Sequence, residues 1–140
     1  MSPEPPSPGL GFLAPDIDVQ AACVAACVRA STVCSVTADA CLDEDGVADL
    51  RVVIRLLLDC VDVLTATSTV LSRHFGSLPA AVGTLLSACA DLSATCADEV
   101  ERSAPIEHGQ RCVDECRRAA DACDALVGAT ISARTSGRRR

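Results

Sequence analysis

Ten cysteines are the residues of this 140-residue chain whose type and spacing could do chemistry. The stretch CVAACVRASTVC, from Cys23 to Cys34, and the stretch CVDECRRAADAC, from Cys112 to Cys123, share the pattern C-x3-C-x6-C. Thiolates are strong nucleophiles and preferred ligands of soft metal ions. The pattern therefore indicates soft-metal binding or thiol redox chemistry, with inert packing as the alternative. The full set is Cys23, Cys27, Cys34, Cys41, Cys60, Cys89, Cys96, Cys112, Cys116 and Cys123.

The N-terminal stretch MSPEPPSPGLGFLAP lacks the basic and long apolar segments of a secretory signal, so we expect a cytoplasmic protein. Cytoplasmic proteins rarely keep structural disulfides, because that compartment is reducing. One or two free cysteines could pack as small apolar residues. Ten cysteines in a repeated pattern are harder to explain in that way, so metal binding is favoured.

Four helices are predicted to position these cysteines. Prolines and the segment DEDG separate four stretches of helix-forming residues. We predict helices over residues 16–42, 47–75, 79–104 and 106–133, with Asp16 or Asp18 as the first N-cap and Pro79 in the first turn of the third helix. The helices form one domain, residues 16–134. Residues 1–15, which hold five prolines, and residues 135–140, which end in three arginines, are predicted to be disordered tails.

Helices of this length, joined by short turns, predict an all-α fold, an antiparallel up-down four-helix bundle. Steps of four or seven residues separate the cysteines within the first, third and fourth helices, as in Cys23, Cys27 and Cys34. Such steps place residues at the buried seam of a bundle. The cysteines are therefore predicted to line the core along the bundle axis, with the first repeat facing the second in antiparallel sense.

Cu(I) fits this arrangement best, because thiolates can bridge neighbouring Cu(I) ions and hold several of them together. Zn(II) is the main competitor. Structural zinc sites usually place a C-x2-4-C knuckle on a loop, whereas every pair here is predicted to lie on a helix. Iron–sulfur clusters need a loop or a short-spaced cysteine run, and thioredoxin-like chemistry needs C-x-x-C at a helix start; neither pattern is present in the sequence.

Charge and composition argue against nucleic-acid and membrane partners. The chain has a formal net charge of -7, no lysine and only two aromatic residues, so it offers neither a basic face nor a stacking platform for bases. The apolar second helix carries Arg51, Arg55, Asp59 and Asp62 on one face. A charged face is typical of an amphipathic helix against a core and not of a membrane span. The sequence shows no candidate set of a nucleophile, a general base and a residue that orients the base, so hydrolase chemistry is not predicted.

Three segments of the chain resemble the cysteine-rich four-helix-bundle copper-storage proteins of bacteria. The segments are ADACLDEDG (38–46), LLLDCVDVLTATSTVLSR (56–73) and EHGQRCVDECRRAADAC (107–123), and the resemblance covers residues 20–127. It implies that the core cysteines bind several Cu(I) ions for storage and detoxification in the cytosol, and that the bundles form a homo-tetramer. It also implies that His108 helps to form the mouth through which copper enters, the alternative being an exposed histidine at a helix start. His74 is interpreted as a helix C-terminal residue.

The chain departs from this resemblance at eight positions, because fuller members of that family carry cysteines at alternating steps of three and four residues. The positions are Ala30, Thr37, Val53, Leu64, Ser93, Val100, Gly109 and Ala119. The thinner set predicts a capacity of about ten Cu(I) ions or fewer. It leaves two alternatives open: a redox enzyme that uses a defined cysteine-bound copper cluster on a small molecule, and a metallochaperone that passes Cu(I) to a partner.

Overall fold

The computed structural model describes residues 3, 12–13, 16–76 and 78–138, with side-chain environments for residues 3, 16–76 and 78–130. Within these ranges four α-helices make up most of the fold. They are α1 (Ile17–Leu42), α2 (Arg51–Ser72), α3 (Val82–Arg102) and α4 (Gly109–Arg138). A 3-10 turn, Val47–Leu50, leads into α2, and two short strands, β1 (Phe12–Leu13) and β2 (Leu78–Pro79), pair in antiparallel sense.

The helices pack as the predicted antiparallel four-helix bundle. Helix α1 packs against α2 and α4, and α3 packs against α4 and, less extensively, against α2. The core consists largely of cysteine, alanine and leucine side chains, and the leucines Leu57, Leu64, Leu71, Leu86 and Leu126 are fully buried. Small core residues let the helix axes approach closely, which brings thiols on different helices within reach of one another.

Side-chain hydrogen bonds stabilise the start of α1 and connect it to the segment in which α2 ends. The carboxylate of Asp16 accepts hydrogen bonds from the backbone N–H groups of Asp18 (2.7 Å) and Val19 (3.4 Å), which confirms the predicted N-cap of α1. The amide Nε2 of buried Gln20 donates to the carbonyl oxygens of Leu71 (2.9 Å) and His74 (3.2 Å). Leu71 lies in the last turn of α2 and His74 lies two residues past its end, so Gln20 connects the start of α1 to the segment in which α2 ends.

The start of α3 differs from the prediction. Pro79 lies in β2 and not in the first turn of α3, because the extended backbone of Leu78–Pro79 pairs with Phe12–Leu13. A proline is tolerated there, since a strand of a two-stranded pair has a free edge that needs no N–H donor. Strand β1 falls within the predicted N-terminal tail. Apart from it and residue 3, the predicted tail lies outside the described residues.

Both ends of α4 also differ from the prediction. His108 has a positive φ of 66°, which is incompatible with an α-helix, so α4 begins at Gly109 and not at residue 106. At the other end the helix continues to Arg138, through residues 135–138 that were assigned to the tail. Residues 139 and 140 of that tail lie outside the described residues.

The charged face predicted for α2 is confirmed, since Arg51, Arg55, Asp59 and Asp62 are all exposed. Within the described ranges, α1 is the helix that is long and apolar enough to span a membrane by length and composition. A helix that packs in a protein core passes the same test, and α1 packs its cysteine face against the neighbouring helices.

Candidate metal centre

All ten cysteines are fully buried in the bundle core, and none forms a disulfide. The prediction that they line the core is confirmed. Burial follows from their spacing, because steps of four and seven residues return a side chain to the same face of a helix. The opposed order of the two repeats is confirmed as well, since Cys23 faces Cys123 and Cys34 faces Cys112.

Four cysteines form a first group, which we call cluster 1. It contains Cys23 and Cys27 from α1, Cys89 from α3 and Cys123 from α4. The Sγ atom of Cys123 lies 3.7 Å from that of Cys23 and 3.9 Å from that of Cys27, and these three sulfurs all lie within 4.8 Å of one another. Cys89 completes the group through its contacts with Cys123 and Cys27.

Five cysteines form a second group, cluster 2, to which all four helices contribute. It contains Cys34 from α1, Cys60 from α2, Cys96 from α3, and Cys112 and Cys116 from α4. The Sγ atom of Cys34 lies 3.4 Å from that of Cys116 and 3.8 Å from that of Cys112. The sulfurs of Cys34, Cys60, Cys96 and Cys116 lie within 4.8 Å of one another, close enough for shared metal ions.

Cys41 belongs to neither cluster. It lies seven residues beyond Cys34 on α1, toward the Cys112 side of cluster 2. Burial raises the pKa of its thiol, and the negative charge of Glu44 raises it further. Cys41 is therefore held as a neutral thiol at the edge of cluster 2.

Hydroxyl groups contact cysteines of both clusters without belonging to either group. The Ser93 hydroxyl lies 3.8 Å from the sulfur of Cys60, and the Thr37 hydroxyl contacts Cys112. Thr67 on α2 contacts Cys89 of cluster 1. Thr67 is not among the predicted site residues, although it lies seven residues after Cys60 and so repeats the cysteine spacing on a helix that carries a single cysteine. That spacing would have identified it.

In cluster 1, hydrogen bonds between thiols favour one thiolate. Hydrogen bonds from Cys123 and Cys27 lower the pKa of Cys23 to about 4, against the opposing effect of burial. The same contacts act in reverse on Cys123, where the hydrogen bond with Cys23 raises the pKa. Cys23 is therefore the thiol of cluster 1 that gives up its proton most readily, and Cys123 is the one that keeps it longest.

Cluster 2 shows the same division of roles. Hydrogen bonds from Cys116 and then Cys34 lower the pKa of Cys60 and of Cys112. Hydrogen bonds with Cys112 raise the pKa of Cys34 and of Cys116. Cys60 and Cys112 are therefore the thiols of cluster 2 that give up their protons most readily as cations enter.

His108 lies at the surface beside cluster 2. Its imidazole is 45% exposed, and its Nε2 atom is 3.6 Å from a carboxylate oxygen of Glu107. Its carbonyl accepts a hydrogen bond from the backbone N–H of Cys112 at 3.0 Å, which places it one turn before that cysteine. The imidazole is not grouped with either cluster, so its predicted part in copper entry stays a prediction. The predicted second helix included His74, but α2 ends at Ser72, so His74 lies two residues past the helix, where its carbonyl accepts a hydrogen bond from Gln20.

The donor set suits a soft monovalent ion. Both clusters offer only sulfur ligands in a buried environment, and neighbouring sulfurs can bridge successive Cu(I) ions. Four close sulfurs in cluster 2 could also satisfy the tetrahedral preference of Zn(II), so the geometry of the thiols by itself leaves zinc as a competitor.

Comparison with known proteins points to copper. A family model described as copper storage protein (Csp) matches residues 17–128. A cytosolic copper storage protein from Streptomyces lividans, solved with five coppers, is 42% identical, with 80% of this chain and 94% of that chain covered and a TM-score of 0.76. The same organism's Ccsp, loaded with 10 copper equivalents, is 40% identical over 89% of this chain and 93% of that chain, with a TM-score of 0.77.

A more distant structure supports the fold. Apo copper storage protein 3 from Bacillus subtilis is 23% identical, covers 76% of this chain and 97% of its own, and has a TM-score of 0.67. A comparison with curated protein sequences gave no significant match.

Proposed function

This chain belongs to the copper storage protein family, and we propose that it stores Cu(I) in the cytoplasm on the thiolates of its core. It binds several copper ions, as does the copper-loaded Streptomyces lividans relative. That relative is a cytosolic protein, which supports the same compartment for this chain. The observation that carries the proposal is the gathering of nine buried cysteines into two all-sulfur groups.

Charge balance in the core sets the expected amount of copper. A buried region cannot carry several uncompensated charges, because each would lose its hydration. Each Cu(I) that binds offsets the charge of one thiolate, so one copper per cysteine leaves the core neutral. Two-coordinate Cu(I) with thiolates that each bridge two ions has this same ratio, which gives about ten ions per chain. Copper held in this way is shielded from solvent, which serves both storage and detoxification.

We propose that copper enters at the His108 end of the bundle. His108 is exposed, and Cys112 lies one turn further into α4. The Sγ atom of Cys34 lies 3.8 Å from that of Cys112. These residues offer a soft ligand at each step from solvent to cluster 2. Because His108 lies outside both clusters, His108→Ala should slow Cu(I) loading severalfold without changing the final amount bound. Equal loading rates in stopped-flow experiments would contradict this role, and His74→Ala is the matched control.

Anaerobic titration tests the function itself. Reduced protein is titrated with Cu(I) and, separately, with Zn(II), each in competition with a strong chelator. We expect about ten Cu(I) per chain to be retained and bound Zn(II) to be displaced by Cu(I). Weak retention of Cu(I), or tighter binding of Zn(II), would contradict storage.

In the described part of the chain, no observation specifically favours the enzyme or the metallochaperone alternative. Surface cavities of about 330 Å³ and 290 Å³ are lined by residues among which there is no cysteine. The larger lies beside α2 and α3 and includes Arg55, Asp59 and Arg102 in its walls. A cavity of this kind does not present the thiols to a small molecule. Oxygen consumption by the copper-loaded protein would reopen the enzyme alternative.

The homo-tetramer implied by the resemblance is proposed as the assembly. Apolar side chains on two helices support association, because Val28 and Val36 of α1 and Val52 and Leu58 of α2 are 45–67% exposed in the single chain. Light scattering coupled to gel filtration measures the assembly directly, and a monomer at micromolar concentration would contradict it. The absence of nucleic-acid and membrane partners stays a prediction.

A further inference from the structure

A seven-residue gap separates the two clusters on each of the three helices that contribute to both, α1, α3 and α4. On α1 the gap runs from Cys27 to Cys34. On α3 it runs from Cys89 to Cys96, and on α4 from Cys116 to Cys123. Helix α2 repeats it with Cys60 at the level of cluster 2 and Thr67, which contacts Cys89, at the level of cluster 1. The gap is therefore a layer across the whole bundle.

Four buried residues without thiols fill this layer, which we call the thiol-free layer: Ala30, Leu64, Ser93 and Ala119. Each comes from a different helix and each is fully buried. Three of them present hydrocarbon to the core, and Ser93 turns its hydroxyl toward Cys60 of cluster 2. The layer offers no thiolate to a metal ion.

Distances along the helices make this layer a barrier. Seven residues of α-helix rise about 10.5 Å, whereas steps of three and four residues rise about 4.5 and 6 Å. A metal–thiolate bond of the zinc type is about 2.3 Å long, so one ion joins sulfurs that are at most about 4.6 Å apart. The sulfurs inside each cluster meet this limit or come close to it. Sulfurs on either side of the layer are separated by roughly twice that distance along each helix.

The contacts between thiols divide in the same way. Each cysteine of cluster 1 contacts other members of cluster 1, and each cysteine of cluster 2 contacts other members of cluster 2. No thiol–thiol hydrogen bond within the described part of the chain crosses the layer. The two groups are also each able to balance their own charge, since one Cu(I) per thiolate leaves either group neutral.

We propose that the chain holds two separate Cu(I) clusters, divided by the thiol-free layer, which bind and release copper independently. Cluster 1 is a four-thiolate site near Gln20, and cluster 2 is a five-thiolate site near His108. This inference rests on the proposed copper binding and specifies how that copper is divided. No thiolate relay joins the sites, so copper in one does not alter the affinity of the other.

A double-mutant cycle on the full chain tests the independence. Reduced, oxygen-free protein is titrated with Cu(I) against a competing chelator, with the copper number and the competition midpoint as readouts. Cys60→Ser weakens cluster 2, and Cys89→Ser is its matched partner in cluster 1. We expect each single variant to bind about one Cu(I) ion fewer than the native chain, and the double variant to lose the sum of the two losses. The fold-change in the competition midpoint of the double variant should equal the product of the two single fold-changes to within about twofold.

A second background shows what coupling looks like. Ala30→Cys with Ala119→Cys introduces thiols into the layer at steps of three and four residues from both clusters. In that background the midpoint shift of the double variant should differ by about tenfold from the product of the two single shifts. Ala30→Ser with Ala119→Ser is the matched control, which introduces polar side chains without a thiol, and it should remain additive.

Two results are decisive against the inference. Non-additivity of about tenfold or more in the native background would overturn it although copper is retained, as would additivity in the Ala30→Cys and Ala119→Cys background. A native chain that retains no Cu(I) would overturn the proposed function, and the inference with it. If circular dichroism shows that a serine variant has lost its helices, Cys60→Ala and Cys89→Ala replace the pair.

Discussion

Substitutions of Gln20 can show how much the hydrogen bonds of one buried side chain contribute to the unfolding free energy, separately from its packing. Its side chain is fully buried, its Nε2 donates to two carbonyls at the end of α2, and its Oε1 has no partner in the described structure. Loss of the donor removes both hydrogen bonds, although the Leu71 carbonyl keeps one from the backbone N–H of His74 at 3.3 Å, whereas removal of the unpaired Oε1 relieves a penalty. The two effects oppose each other, so the choice of substitution decides the outcome.

Three substitutions separate these effects. Gln20→Met keeps most of the volume, loses two hydrogen bonds and removes the unpaired oxygen, which should cost about 1–2 kcal/mol of unfolding free energy. Gln20→Ala adds a cavity and should cost about 2–4 kcal/mol. Gln20→Glu replaces the donor by an acceptor that faces two carbonyls, and should be the most destabilising at neutral pH because a buried carboxylate is left without a donor.

Urea denaturation of the reduced, copper-free protein, followed by circular dichroism, measures these costs. Gln110→Ala is the matched control, because Gln110 is exposed and its hydrogen bond to Asp114 links two residues of the same helix. It should change the unfolding free energy by less than about 0.5 kcal/mol. The reasoning fails if Gln20→Met is as stable as the native chain, or if Gln20→Glu is no worse than Gln20→Met.

Two further predictions concern backbone conformation and thiol ionisation. Gly76 has φ of +80°, so Gly76→Ala should lower the unfolding free energy by about 1–2 kcal/mol. Gly109→Ala should instead raise the unfolding free energy by about 0.5 kcal/mol, because an added Cβ would meet Ile106 and Val100 at ordinary contact distances of 3.5 and 3.6 Å. Denaturant midpoints check both predictions, and equal shifts of the two variants would refute the distinction. Because the pKa of Cys23 is lowered to about 4 from an ordinary 9.0, its thiolate stabilises the folded state fully above pH 9 and loses that effect as the pH falls to about 4. The ultraviolet absorption of thiolate in the copper-free protein should therefore rise through about pH 4, and Cys23→Ser should lack that step; an unchanged titration would place the thiolate elsewhere.

The periodicity of the cysteines made most of the metal centre predictable. Cys23, Cys27 and Cys34 return to one face of α1 by helix geometry alone, and burial of that face follows from the apolar pattern. The same rule would have identified Thr67. The facing of Cys23 with Cys123 also followed, because four helices with short connections pack in antiparallel sense.

The ends of the helices were less predictable, since they depend on contacts between distant segments. Pro79 has the local character of a helix start, but a backbone pairing with Phe12 holds it in a strand. His108 lies in a helix-forming segment, yet its positive φ delays the start of α4 to Gly109. The tie from Gln20 to the end of α2 joins residues more than fifty positions apart and has no local signature.

The sequence by itself determined the fold class, the burial of the ten thiols and their preference for a soft ion, because helical periodicity and ligand softness are properties of local residue patterns. Tertiary structure decided how those thiols are grouped. Positions along the bundle axis depend on how the four helices pack against one another, which no single segment encodes. This packing brings Cys60 beside Cys34 and Cys116, and Thr67 beside Cys89. That alignment turns one row of cysteines into two clusters with a layer of alanine, leucine and serine between them.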